Sequence, residues 1–305
     1  MTNADLIEKI RAIGGIPNTE VLGARDEDLL ARADESLTTH LLPKLLELRE
    51  NYYVRRQRTA LTPGVTRYRL PARASLNKLH GLFIVRDDVF QEIDEIDYEE
   101  LNEIQTQADG HPAGYLLEGN TILLVPENGS YTGSLEFAFY ARPGLLLLPD
   151  DVRQITDITG DEVTLDADAP TAWAPGLFDA HSAQSGAELS LWDATVSDIT
   201  DDVLTFTDPI DGSTFGTSPL QVGDYIVPAG FSALPCLPAE LHGLLARAAC
   251  LQLAESLGDT TKIQVHAGLL DKAFKSMGSA METRIDTKPI KLGRNTTLKR
   301  RLRFR

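Results

Sequence analysis

Cysteine is scarce in this 305-residue chain, which has only Cys236 and Cys250. Two cysteines make neither a disulfide framework nor a cysteine-built metal cluster. Aromatic residues are sparse, at 7%, and long apolar runs are missing. The longest purely aliphatic stretches, 122–125 and 145–148, fall far short of the ~18 apolar residues a bilayer-crossing helix needs. The first helix already carries Asp5, Glu8, Lys9 and Arg11, so no secretion signal and no membrane role are expected. Basic residues nearly vanish from 151–230, where fifteen Asp/Glu face Arg153 alone, and acids vanish from 288–305, which hold eight Lys/Arg.

The net charge of −16 therefore averages unlike parts. Outside 288–305 the chain has 21 basic and 45 acidic residues, a body of −24 joined to an arm of +8. The 42% hydrophobic content is that of an ordinary globular protein, and the length suits two or three domains at roughly 100–200 residues each.

Apolar periodicity organises the ends. Leu6, Ile7, Ile10 and Ile13 form one helical stripe behind a cap at Thr2 or Asn3, stopped by Gly14, Gly15 and Pro17. A second helix follows Asp26, Glu27 and Asp28, acids that complement the positive end of its dipole. Its stripe runs Leu29, Ala33, Leu37, Leu41, Leu45, Leu48 and Tyr52, with a kink or break expected at Pro43. Helix returns at Pro238 with Leu241, Leu244, Leu245, Ala248, Leu251 and Leu257, stops at Gly258, and resumes from Thr260 to about Arg284.

Between these lie strands. Tyr68-Arg69-Leu70-Pro71, 79–85, 115–125 and 134–141 are short, rich in β-branched and aromatic residues, and bounded by Gly, Pro and Asn. Glu118-Gly119-Asn120 has the chemistry of a tight hairpin turn, and 99–106 suits a short helix. Residues 155–165 align without gaps on 196–206, an offset of 41, each copy reading strand, Asp-containing turn, strand. Two such hairpins with 221–227 are expected to close a small barrel or sandwich.

The predicted fold class is α+β: a helical bundle core from both chain ends, an inserted antiparallel β region, a second inserted small β-barrel or sandwich domain, and an extended C-terminal arm. The segments are 1–60 (N-terminal core helices), 61–147 (antiparallel β), 148–232 (acidic β domain), 233–287 (C-terminal core helices) and 288–305 (arm).

Catalytic patterns are missing. His40, His80, His111, His181, His242 and His266 show no metal-ligand spacing, and no glycine cluster has the spacing of a phosphate loop. Asp166, Asp168, Asp208, Asp211 and Gly212 look superficially like calcium-loop residues but lack the third carboxylate and closing glutamate; they read as solvated turns. Cys250, among Ala248, Ala249 and Leu251, reads as a buried inert thiol. No enzyme activity, metal or cofactor is expected.

The arm is the strongest signal. Lys288, Lys291, Arg294, Lys299, Arg300, Arg301, Arg303 and Arg305 are interleaved with apolar residues, Leu302 and Phe304 among them. Three readings stand: docking on a protein partner, neutralising nucleic-acid phosphates, or a solvated end. The interleaved apolar residues favour docking, since a purely electrostatic arm has no need of them.

The order of motifs in the middle carries a resemblance. Tyr68-Arg69-Leu70-Pro71, the strand 79–85, Gly110-His111-Pro112, Gly119-Asn120-Thr121-Ile122 leading to Pro126, and Tyr140 before Pro143 follow two N-terminal helices and precede closing helices. This arrangement resembles tailed-phage head-to-tail adaptor proteins over 1–147 and 233–305; the acidic segment 151–232 departs from the simpler pattern. The resemblance implies a ring, commonly of twelve copies, beneath the capsid portal in the virion neck and assembled in the host cytoplasm. It also implies a DNA channel passing through without sequence-specific binding, tail or nozzle components attached below, and an arm (Lys288, Lys291, Arg294, Lys299, Arg300, Arg301, Leu302, Arg303, Phe304, Arg305) docked on the portal. A nucleic-acid-binding protein using the same arm is the alternative, and a hydrolase with paired carboxylates in the acidic segment is a third reading that no constellation supports.

Overall fold

The computed structural model describes residues 1–16, 25–48, 51–87, 89–99, 101, 112–126, 132–184, 189–208 and 219–281. The class is mixed α+β. Helix α1 (Asn3–Gly14) opens with a capping box: the Asp5 N–H donates to Thr2 Oγ1 at 3.2 Å and the Thr2 N–H to Asp5 Oδ2 at 2.8 Å. Thr2 is thus the cap, which frees Asn3 for a structural task described below. Helix α2 (Asp26–Ser36) passes through a π-helical turn (Leu37–Leu41) into α3 (Leu42–Leu48). The break expected at Pro43 is instead absorbed in that turn. The Leu42 N–H reaches back five residues to the Leu37 carbonyl, and the wider turn accommodates a proline that cannot donate.

Strands β1 (Val54–Leu61), β2 (Arg67–Arg69), β3 (Ala74–Arg86), β4 (Val89–Glu95), β5 (Gly114–Glu118), β6 (Thr121–Val125) and β7 (Gly133–Ala141) form one sheet, ordered β1-β7-β3-β4-β5-β6-β2. Two strands depart from the sequence reading. Residues 54–60, read as helical, form β1, because Arg55, Arg56, Gln57 and Arg58 carry no apolar stripe for a helix to bury and the strand pairs along its whole length with β7. Strand β4 was not anticipated, its acidic residues masking the pairing with β3. The hairpin turn at Gly119-Asn120 is present, with Glu118 paired to Thr121 and Gly119 at φ +64°. Of the expected helix 99–106, residues 100 and 102–106 lie outside the described residues. One face of the sheet buries Leu82, Ile84, Ile122, Leu124, Leu135, Phe137 and Phe139 in a single core.

Strand β8 (Leu145–Leu146) then leads into β9 (Arg153–Thr159), β10 (Glu162–Leu165), β11 (Gly176–His181), β12 (Leu189–Thr200), β13 (Val203–Phe206) and β14 (Tyr225–Pro228), and the chain returns through β15 (Phe231–Ser232). Of the two expected forms, the acidic segment adopts the closed barrel, ordered β10-β13-β12-β11-β14-β9. The 41-residue repeat is a pseudo-two-fold in three dimensions. Glu162 pairs with Thr205, Val163 with Leu204, and Thr164 with Val203, so each hairpin sees the other as its own image. Cross-links repeat: Thr156 Oγ1 donates to the Thr164 carbonyl at 3.1 Å and Ser197 Oγ to the Thr205 carbonyl at 3.0 Å. The Leu165 N–H bonds the Asp202 carbonyl and the Phe206 N–H the Asp161 carbonyl, both at 2.8 Å. Equivalent residues Ile155 and Val196, Val163 and Leu204, and Leu165 and Phe206 fill the barrel interior.

Helices α4 (His242–Leu257) and α5 (Thr260–Met281) follow. Leu6, Ile10, Leu29, Ala33, Leu45, Leu245, Ala249 and Leu270 share one cluster, so helices from the two chain ends are packed against each other. Among the described residues no helix is long and apolar enough to cross a membrane.

Candidate functional site

All ten residues of the predicted docking arm, Lys288, Lys291, Arg294, Lys299, Arg300, Arg301, Leu302, Arg303, Phe304 and Arg305, lie outside the described residues, as do Asp211 and Gly212. Among the described residues there is no group of three His, Cys, Asp or Glu able to hold a metal ion. Asp166 accepts the Gln154 N–H at 3.0 Å, a bond across the open end of the β9–β10 hairpin. The interactions that decide how the parts are held gather where helices, sheet and barrel meet.

The barrel joins the body through a parallel two-strand neck, Phe231 beside Leu145 and Ser232 beside Leu146. At Gly144 a Cβ would lie 2.6 Å from the Phe231 carbonyl oxygen, a contact no side chain tolerates. Two polar residues of the helical layer hold this neck. Asn3 Nδ2 donates to the Leu147 carbonyl at 2.8 Å and the Ser232 carbonyl at 3.0 Å. The Asp34 carboxylate accepts the Leu146 N–H through both oxygens at 3.1 Å. Burial, opposed by that bond, pushes the Asp34 carboxyl up to about 7.

A clamp comes from the sheet side. Arg73, in the turn before β3, donates from Nη1 to Asp179 Oδ2 at 2.7 Å and Asp193 Oδ1 at 3.0 Å, and its guanidinium sits 3.8 Å from the Trp192 ring centroid. Asp179 is fully buried; it also accepts the Asp193 N–H at 2.9 Å and the Gly230 N–H at 3.4 Å. Burial pushes both carboxyls up, and Arg73 pulls them back part of the way. In β11, Phe178 and Ala180 point into the barrel while Asp179 and His181 point out toward the body. The acidic segment is therefore not uniformly solvated. The alternation around Asp179 was the available signal, but a carboxylate on a strand's outer face ordinarily meets water.

Beside the clamp, Cys236 Sγ lies 3.1 Å from Ser232 Oγ and 3.8 Å from His181 Nδ1, and the Tyr53 hydroxyl donates to the Cys236 carbonyl. Burial pushes this thiol up, but His181, the Ser232 hydroxyl and Arg55 outweigh it and hold it below the usual thiol range. A cavity of about 20 Å³ touches Arg73, His181, Trp192 and Cys236. That is room for one water-sized molecule, too little for a substrate. The Cys–His pair, 55 residues apart in sequence, was invisible to spacing arguments. Cys250 is the inert thiol expected: it is buried, donates to the Ile10 carbonyl at 3.3 Å and is pushed up to about 11 by burial. His242 and His266 are buried helix residues whose rings burial holds below the usual range.

The arrangement is thus a set of bracing contacts between three parts, with a cavity too small for a substrate beside them. A search of curated proteins finds no match. A family model described as SU10 adaptor protein matches residues 1–202. That span includes 151–202, part of the segment that the sequence reading set apart as a departure from the family pattern, and it stops short of the closing helices α4 and α5. With about two thirds of its length matched, the chain belongs to the SU10 adaptor protein family, a family of phage adaptors.

Proposed function

We propose that this protein is a non-enzymatic head-to-tail adaptor of the virion neck. Copies form a ring beneath the portal, twelve in the form the resemblance implies, which lengthens the DNA channel and offers a platform to tail components. The family match over residues 1–202 is the observation that carries this reading. In it, α1, α2, α4 and α5 are the bundle core from which the ring is built, and the +8 arm of 288–305 follows the last helix and docks on the portal. An acidic body suits a channel for DNA because like charges repel phosphates and keep the duplex from adhering. The bracing by Asn3, Asp34 and Arg73 supports the same role, since a barrel held at its neck transmits load as a rigid projection.

Truncation after Thr287 tests the arm. The shortened chain is expected to keep its circular dichroism and melting temperature and to lose portal capture in a pull-down with purified portal. Undiminished capture would remove the arm from the docking role.

A further inference from the structure

Charge in the first β region is divided as sharply as in the whole chain. Residues 51–86 hold eight Lys/Arg and no acid, and residues 87–100 hold eight Asp/Glu and no base. Within one copy the two halves are only slightly joined. Arg86 pairs with Asp87 at 3.6 Å, whereas Glu92, Asp94, Glu95 and Glu99 are exposed and have no cationic partner among the described residues. Strand β1 is an edge strand, pairing only with β7. Its Arg56 and Arg58 share the single buried carboxylate of Glu136 while staying 61% and 51% exposed, so this edge carries surplus positive charge. Strands β7 and β3 stand between β1 and β4; the Arg58 guanidinium reaches across them to 5.4 Å from the Phe90 ring centroid of β4, yet the carboxylate that it and Arg56 bind is Glu136 of β7. Tyr98, 64% exposed and tied to Glu118 at 3.0 Å, adds an aromatic anchor beside the acids.

Resting on the ring reading above, we propose that the Arg56 and Arg58 edge of one copy seats against the acidic run 92–99 of a second copy. The two patches differ, so the contact is heterologous and can propagate around a closed ring. It neutralises Glu92, Asp94, Glu95 and Glu99, and an arginine-bearing edge discourages β1 from pairing with another β1.

Two chains test this by light scattering at low salt and high protein concentration. One carries Glu95→Lys and Glu99→Lys. The other carries Arg56→Glu, which leaves Arg58 bonded to Glu136. Each is expected to fold, judged by circular dichroism, and to associate at least about tenfold more weakly than the parent. Mixed, they are expected to regain assembly, because every contact then joins opposite charges, and added salt weakens it again. Should the Arg56→Glu chain not fold, the Glu95→Lys, Glu99→Lys chain decides by itself. Assembly by that chain equal to the parent's overturns this interface and leaves the ring reading standing. A parent that stays monomeric at every concentration overturns the ring reading, and this interface with it.

Discussion

Val163 faces Leu204 across the β10–β13 ladder, and the 41 positions between them are the offset that superimposes one half of the barrel on the other. Both side chains are fully buried at the point where the two hairpins meet. Neither hairpin can bury its apolar face alone, so each is the other's core.

Truncation at this point therefore acts on both halves at once. Leu204→Ala is expected to cost about 3 kcal/mol and Val163→Ala about 2 kcal/mol, with the double variant departing from the sum because the two cavities touch. Urea denaturation followed by Trp fluorescence reads both values.

The turn positions make a finer prediction. Gly160 at φ +67° and Asp201 at φ +52° occupy equivalent places, and a Cβ added at Gly160 meets nothing within 4 Å. Gly160→Asp is expected to cost under about 1 kcal/mol, while Gly160→Val, whose branched side chain resists the left-handed region, costs about 2 kcal/mol. Equal costs for the two would show that crowding, not backbone conformation, governs the turn.

Removing the clamp cation leaves buried acid behind. Arg73→Met strips Asp179 and Asp193 of their partner and is expected to destabilise the fold by about 3 kcal/mol. The loss shrinks in acid as the stranded carboxyls protonate. Arg73→Lys should recover only part, because a point charge replaces a planar group lying on Trp192.

Asp34 sets a pH dependence of definite sign. Its folded value near 7 exceeds the ordinary 3.8, so between these the folded state binds more protons than the unfolded one. Stability from this group is full below pH 3.8 and is lost as pH rises through 7. Each tenfold change in proton affinity is worth about 1.4 kcal/mol. Asp34→Asn, which keeps an oxygen for the Leu146 N–H, is expected to stabilise the chain at pH 8 by about 2 kcal/mol and to flatten the pH profile between 3.8 and about 7. An unchanged profile would mean that the carboxylate stays hydrated.

The docking and nucleic-acid readings of the arm part company over salt. If eight cations meet duplex phosphates, affinity falls with a log–log slope near about −7. The docking reading expects no measurable duplex affinity at low salt from the full chain.

Much of the fold was legible because it rests on local periodicity. The stripes of α1 and α2, the Gly119-Asn120 turn and the hairpin repeat follow from residue spacing, and the structure contains them. Strand β1 was not legible: Val54-Arg55-Arg56-Gln57-Arg58 has neither helical nor alternating apolar order, and only its pairing with β7 makes it a strand. The Arg73 clamp was also hidden. Arg73, Asp179 and Asp193 stand 106 and 14 residues apart in turn, and each is the commonest kind of surface residue until the fold buries it.

By itself the amino-acid sequence determined the helices at both chain ends, the hairpin repeat, and the charge split between a −24 body and a +8 arm, because these depend on composition and near-neighbour spacing. Only the tertiary structure decided that the acidic segment closes as a barrel, that its neck is held by Asn3 and Asp34, and that one arginine binds two of its carboxylates. Those outcomes depend on which distant surfaces meet and exclude water, and long-range burial leaves no period in the chain.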